Sequence, residues 1–170
     1  MVRLAGRSRQ NVQMHEGQNL AFLAAGNFLR GLGIDSQAEV NRVLDVAMNP
    51  NSLYAARNRK QPANPHARKL DVEADLRPVV EFLQAAGLSQ EQAILVHPAL
   101  LSYRVQERLQ PFFEYLTGEL GLSPQEAASV VQRRPSIVGV EVDGLRRMVA
   151  FLLESGNTKE QVVELMATSL

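Results

Sequence analysis

Fifteen of the 18 basic residues are arginine, and only Lys60, Lys69 and Lys159 are lysine. A guanidinium is a planar fork that meets two phosphate oxygens or a base edge at once, whereas an ammonium is a point charge on a flexible stem. Phosphate contact supplies most nucleic-acid affinity, so this bias raises that chemistry first. The arginines come as two adjacent pairs, Arg133-Arg134 and Arg146-Arg147, and singly at Arg77, Arg104 and Arg108. A basic run, Arg57-Asn-Arg59-Lys60 and then Arg68-Lys69, either tracks a sugar–phosphate backbone or is only a soluble loop. Arg133 and Arg134 fall at a helix C-terminus, where positive charge also complements free carbonyls and the helix dipole. Arg146 and Arg147 fall early on a long helix, where the dipole does not favour cations, so ligand contact is the stronger reading there.

Other chemistries lack an anchor. With no cysteine there is no disulfide, thiolate metal site or cysteine nucleophile. His15, His66 and His97 are far apart in sequence and lack an i, i+4 partner, so no metal ligand set is encoded. His97, before Pro98, reads as a helix-end residue capping carbonyls. Gly31-Leu-Gly33 lacks the rest of a dinucleotide fingerprint, and there is neither a Walker-type phosphate loop nor a G-x-S-x-G elbow. Glu81, Glu114 and Glu119 recur on outward helix faces and read as solvated surface. Phe82, Tyr115 and Phe151 hold equivalent positions and read as core rather than as base-stacking platforms. No catalytic residue, metal or cofactor is expected.

The elements that must position these arginines follow from length and pattern. A chain of 170 residues makes one domain or one repeat array. At 45% apolar and 21% charged it is no disordered tail, and its apolar runs are too short to cross a bilayer. The formal charge is zero, yet residues 1–70 hold ten basic and four acidic residues, +6, leaving −6 for the remainder. That asymmetry suits a basic region for a polyanion beside an acidic scaffold, or equally a plain N-terminal extension.

A period is visible. Leu76-Arg-Pro78-Val-Val-Glu-Phe82-Leu83, Leu109-Gln-Pro111-Phe-Phe-Glu-Tyr115-Leu116 and Leu145-Arg-Arg147-Met-Val-Ala-Phe151-Leu152 share leucines at both ends and an aromatic before the second. Each is followed by a glycine (Gly87, Gly121, Gly156) and a hydroxyl residue with Gln or Glu three places on: Ser89…Gln92, Ser123…Glu126, Thr158…Gln161. Glycine ends one helix cheaply and the S/T-x-x-E/Q box starts the next. Second helices are expected near 90–96, 124–133 and 159–168. In the first two units they run into Pro98-Ala-Leu-Leu101 and Pro135-Ser-Ile-Val138, which predict a short third helix.

A degenerate earlier copy spans 20–50, with Phe28-Leu29, Gly33, the box Ser36…Glu39 and Val40, Val43 and Leu44. Residues 51–70 read as a basic linker, 71–170 as three units, and 1–19 as an extension. Arg3, Arg7 and Arg9 precede the first acid, Glu16, a weak likeness to an organelle transit segment. The last unit stops at Met166-Ala-Thr-Ser-Leu170, where a proline and third helix would follow, which suggests a fragment. No strand is required. The expected fold is all-α, a right-curving solenoid whose stacked units share a core.

In this combination the repeat resembles the mitochondrial transcription termination factor (mTERF) family. The likeness rests on Leu76-Arg-Pro78, Phe82-Leu83, Gly87-Leu-Ser89 and Pro98-Ala-Leu-Leu101, and on Leu109-Gln-Pro111, Tyr115-Leu116, Gly121-Leu-Ser123 and Pro135-Ser-Ile-Val138. The third unit departs, with Arg147 for the opening proline and Gly156-Asn-Thr158 for Gly-Leu-Ser. The resemblance implies a plant- or alga-type organellar superhelix of mitochondrion or chloroplast. It would bind double-stranded DNA along a basic groove, terminating or otherwise regulating transcription, or would act on structured RNA with the transcription or splicing machinery. A non-enzymatic monomer with no membrane partner is expected. The alternative is a helical-repeat scaffold that binds protein, or an inactive truncated relative. The family carries over no invariant contact residues, so the candidates remain those nominated from charge, with Arg146 and Arg147 foremost.

Overall fold

The computed structural model describes residues 20–52, 54 and 64–169, and every regular element among them is helical. Helix α1 spans 20–31 and α2 spans Gln37–Met48. Helix α3 opens as a π turn, Val72–Leu76, and continues as Arg77–Ala85. Helix α4 is Gln90–Val96, followed by a 3-10 helix at Pro98–Ser102. Helix α5 runs through a π turn, Val105–Leu109, an α segment, Gln110–Glu114, and a second π segment, Tyr115–Glu119. Helix α6 is Pro124–Arg133, with its 3-10 helix at Pro135–Gly139. Helices α7, Val142–Glu154, and α8, Lys159–Thr168, form the third unit. The helix, helix, short helix order holds in the first two units. None of the described helices is long and apolar enough to cross a membrane.

The opening prolines account for the π turns that begin α3 and α5. A proline ring presses on the carbonyl four residues back, and a wider turn relieves that contact. Just before Pro78 and Pro111, the amides of Arg77 and Gln110 bond five residues back, to the Val72 and Val105 carbonyls. Arg147 stands in the third unit where a proline would, and α7 is α-helical throughout.

The stop signals work as read: Gly33, Gly87, Gly121 and Gly156 take φ of 105°, 88°, 74° and 97°, the left-handed region that other residues enter only at a cost. Ser123 with Glu126 and Thr158 with Gln161 form reciprocal capping boxes. Ser89 departs from expectation. Its hydroxyl makes no cap bond, and its amide donates instead to Gln132 Oε1 on α6 at 2.7 Å.

The core is two clusters divided by the first regular unit. Leu76 and Val80 of α3, with Ile94 and Leu101, pack against α1 and α2. Val79 and Leu83 of the same helix, with Ala93 and Leu100, join Phe112, Tyr115, Leu116, Val131 and Ile137 on the other side. Phe82, half-buried, meets Phe113 edge-on at 5.4 Å. Phe151 is a correction to the sequence reading: it is 66% exposed, because no described element lies over that face of α7. Phe112→Ala, at a fully buried position, should therefore cost about 3–5 kcal/mol in urea denaturation, while Met148→Ala on the open face of α7 should cost about 1 kcal/mol or less.

Candidate nucleic-acid interface

Three of the nominated arginines meet in one cleft at the joint between the first two regular units. The loop 64–68 is fixed there by a polar knot. Asn64 Nδ2 donates to the Val46 carbonyl and to Ser102 Oγ, both at 3.0 Å, and Ser102 Oγ donates to the Ala47 carbonyl at 2.6 Å. Asn64 Oδ1 accepts from the His66 amide at 3.0 Å. The knot mounts Arg68, whose Nε donates to the Ser102 carbonyl at 3.3 Å and whose Nη1 reaches Asp75 at 3.0 Å. Burial of Asp75 works against its charge, but the Asp71 amide and Arg68 outweigh that and hold its carboxyl below the usual range.

Tyr103, buried, is the pivot of the joint. His66 packs edge-on to its ring at 5.3 Å, His97 Nε2 shares a hydrogen bond with its hydroxyl at 3.0 Å, and the Arg108 guanidinium lies 5.3 Å over its face. Arg108 then spans its own unit to donate to the Gly139 carbonyl at 3.1 Å, and reaches Glu141, the N-cap of α7, at 2.8 Å. Gly139 has no room for a side chain, since a Cβ there would stand 2.7 Å from the Tyr103 hydroxyl. His66, Arg68, Ser102, Tyr103, Arg104, Glu107 and Arg108 line a cleft of about 470 Å³. A second hollow of about 690 Å³ shares Arg68, Tyr103, Arg104 and Glu107 with it. Burial and the Arg108 charge push His66 below its ordinary value, so the cleft's positive charge is that of its arginines. Arg104 is the most open of them, 55% exposed and held among the described residues only by Glu107 at 3.8 Å.

The remaining candidates are spread over the molecule, mostly in ion pairs. Arg77 forks onto Glu73 at 2.8 and 2.9 Å and lies 5.4 Å over Phe28. Arg133 forks onto Glu164 of α8 at 2.8 Å on both arms, and Arg134 reaches the Met166 carbonyl at 3.5 Å. Arg146 forks onto Glu119 of α5 at 2.8 and 2.7 Å, adds Asp143, and lies 5.6 Å over Tyr115. Its neighbour Arg147 is exposed and makes no hydrogen bond or ion pair among the described residues. Lys69 sits with Arg68 at a separate hollow of about 420 Å³ beside α1. Arg57, Arg59 and Lys60 lie outside the described residues.

The mTERF family model matches residues 15–169. The chain belongs to the mTERF family. Comparison with curated proteins gives no match, nor does comparison with solved structures. Membership makes this a helical-repeat protein of a nucleic-acid-binding family, so the arginine cleft is the part of the fold to weigh first. Charge alone did not single it out, because 17 carboxylates face 12 cations over the described residues. Sequence reading also missed Asn64, Ser102 and Tyr103, which build it. One signal was available: aligning Pro98 with Pro135 sets Tyr103 against Val140, an aromatic phenol where the next unit has an aliphatic residue.

His97 ends its helix as expected, its amide donating to the Ala93 carbonyl at 2.9 Å, while its side chain turns to Tyr103. Burial pushes its imidazole down to about 4. The unfolded chain therefore binds the extra proton first, and stability falls as pH drops from about 6.5 to about 4. His97→Gln should remove roughly 1–3 kcal/mol of that acid sensitivity in denaturant titrations repeated across the window.

Proposed function

We propose that this mTERF chain binds nucleic acid at the cleft between its first two regular units, with double-stranded DNA preferred over structured RNA. It would regulate organellar transcription, termination included, in mitochondrion or chloroplast, by occupying the duplex in the path of the transcription machinery. A role in RNA metabolism beside the splicing machinery would use the same contacts. The observation that carries the reading is the convergence of Arg68, Arg104 and Arg108 on one rigidly mounted cleft. Two forks are pre-oriented by carboxylates and by a tyrosine face, and the third is nearly free. Each contact addresses phosphate rather than a base edge, so binding is sequence-tolerant.

Exposed ion pairs contribute little to folding, so a phosphate can take over a guanidinium from Glu107 or Glu141 at small cost. The acidic excess of the described residues favours a second reading, a scaffold for a basic protein. Salt separates the two. With three phosphates engaged, affinity for a labelled duplex should fall roughly 500-fold for a tenfold rise in salt. Arg104→Ala should weaken binding about three- to tenfold and lower the salt slope by about one. Arg77→Ala, outside the cleft, should change neither. Fluorescence anisotropy at two salt concentrations, on duplex DNA and on RNA of matched sequence, reads all three. Equal affinity of wild type and Arg104→Glu would move the function to the scaffold.

A further inference from the structure

Among the side chains that line the arginine cleft, one is of a type that changes charge near neutral pH. Guanidiniums stay cationic throughout that range, whereas an imidazole titrates within it. His66 stands on the cleft wall, half-buried, beside Arg68, Arg104, Arg108 and Glu107. The knot that mounts Arg68 also places His66, since its amide donates to Asn64 Oδ1 at 3.0 Å and Asn64 is tied to the Val46 carbonyl and to Ser102. Its ring stands edge-on to Tyr103, and neither ring nitrogen has a hydrogen-bond partner among the described residues. His97 differs on both counts. Its Nε2 is engaged by the Tyr103 hydroxyl, and it faces a separate hollow with Ser136 and Val140.

The charges around His66 come from several elements. Its own loop brings Arg68, paired with Asp75 of α3; Arg104, Glu107 and Arg108 come from α5 and the residue before it, and Glu141 from the start of α7. Tyr103 stays a neutral hydroxyl, its acidity weakened by burial. Burial and Arg108 outweigh the opposing pull of Glu141 and hold the His66 imidazole below its ordinary value, so the ring is neutral at neutral pH in the free protein. A phosphate seated among the guanidiniums reverses that field, because a negative charge within about 4–6 Å favours the charged form of an imidazole. Both ring nitrogens are then donors, and at least one can face the phosphate. We propose that His66 is a further phosphate ligand of the cleft, neutral in the free protein and protonated in the complex, so that binding takes up a proton and loosens as pH rises through neutrality. The inference rests on nucleic-acid binding at this cleft and adds the condition under which it is tight. Affinity is lowest where the ring is neutral in both states. It rises as pH falls through the value of the complex, and it levels off once the ring is charged in both states.

Isothermal titration calorimetry of the 170-residue protein with a DNA duplex, in two buffers of unlike ionisation enthalpy, counts the protons directly. Circular dichroism at each pH confirms that every sample is folded. Wild type should take up about half a proton at about pH 6.5 and bind about three- to tenfold tighter at about pH 6 than at about pH 8. His66→Gln should match wild type at about pH 8, take up no proton and keep one affinity over the range. His66→Lys, charged throughout, should bind at about pH 8 nearly as tightly as wild type does at about pH 6, again without uptake. A ring that only packs on Tyr103 would cost stability when replaced but would move no proton. Wild type that binds with a steep salt dependence yet takes up no proton overturns the proposal and leaves the cleft as the binding site. Uptake that persists in His66→Gln overturns it too, since the proton then goes to another group. Absence of binding at both pH values overturns the proposal and the cleft reading together.

Discussion

A unit made of two helices and a short 3-10 helix has two apolar faces and can cover neither alone. This constraint arranges the rest of the molecule. Helix α3 shows it directly, sending Leu76 and Val80 to one cluster and Val79 and Leu83 to the other. Four positions within about two turns of one helix reach two sides only when both sides are packed. The first regular unit is thus a wall shared by two cores, and its joints with its neighbours hold the fold together. Burial supplies the driving force at those joints, at about 1.5–3 kcal/mol for each large side chain fully buried.

The ion pairs do something different. Arg108–Glu141, Arg146–Glu119 and Arg133–Glu164 all cross from one unit to the next. Exposed pairs of this kind are worth about 0–1 kcal/mol each, too little to hold units together that apolar burial already joins. Their geometry is what matters, since a bidentate fork fixes the direction of a side chain more tightly than packing does. Arg133 and Arg146 are oriented in this way but stand singly on the surface. Among the described residues, several guanidiniums converge only at the first joint, because the 64–68 loop is tied to both α2 and the 3-10 helix beneath Tyr103. The cleft follows from a backbone constraint, and its charge from the side chains that constraint aims.

Helices, stops and starts were legible in the sequence because they depend on neighbours within one turn. Gly121 before Ser123, Pro124 and Glu126 specifies an ending and a beginning through local hydrogen bonds alone, and both form. Ser89 was misread because the group that satisfies its amide, Gln132, lies 43 residues away. The same limit applies to the site. Arginine pairs adjacent in sequence point to different sides of a helix, so Arg146 and Arg147 divide, one into an ion pair and the other into solvent. Arg68 and Arg108, 40 residues apart, meet across a loop that no periodicity describes. Phe151 was read as core because its register is that of Tyr115, but register fixes only which face a residue takes. Whether that face is covered depends on what stacks upon it.

Position 147 shows helix geometry and surface chemistry changing together. In the first two units a proline there widens the opening turn and displaces the segment before it into π geometry. Replacing it by arginine restores the amide, keeps α7 α-helical, and puts a cation where the earlier units have an exposed and a half-buried proline. On α7 the guanidinium is exposed, and Glu154, two turns on, is exposed as well and carries the opposite charge. The departure from the repeat thus changes two properties at once, helix geometry and surface chemistry, and it does so at the one regular unit whose apolar stripe is left uncovered among the described residues.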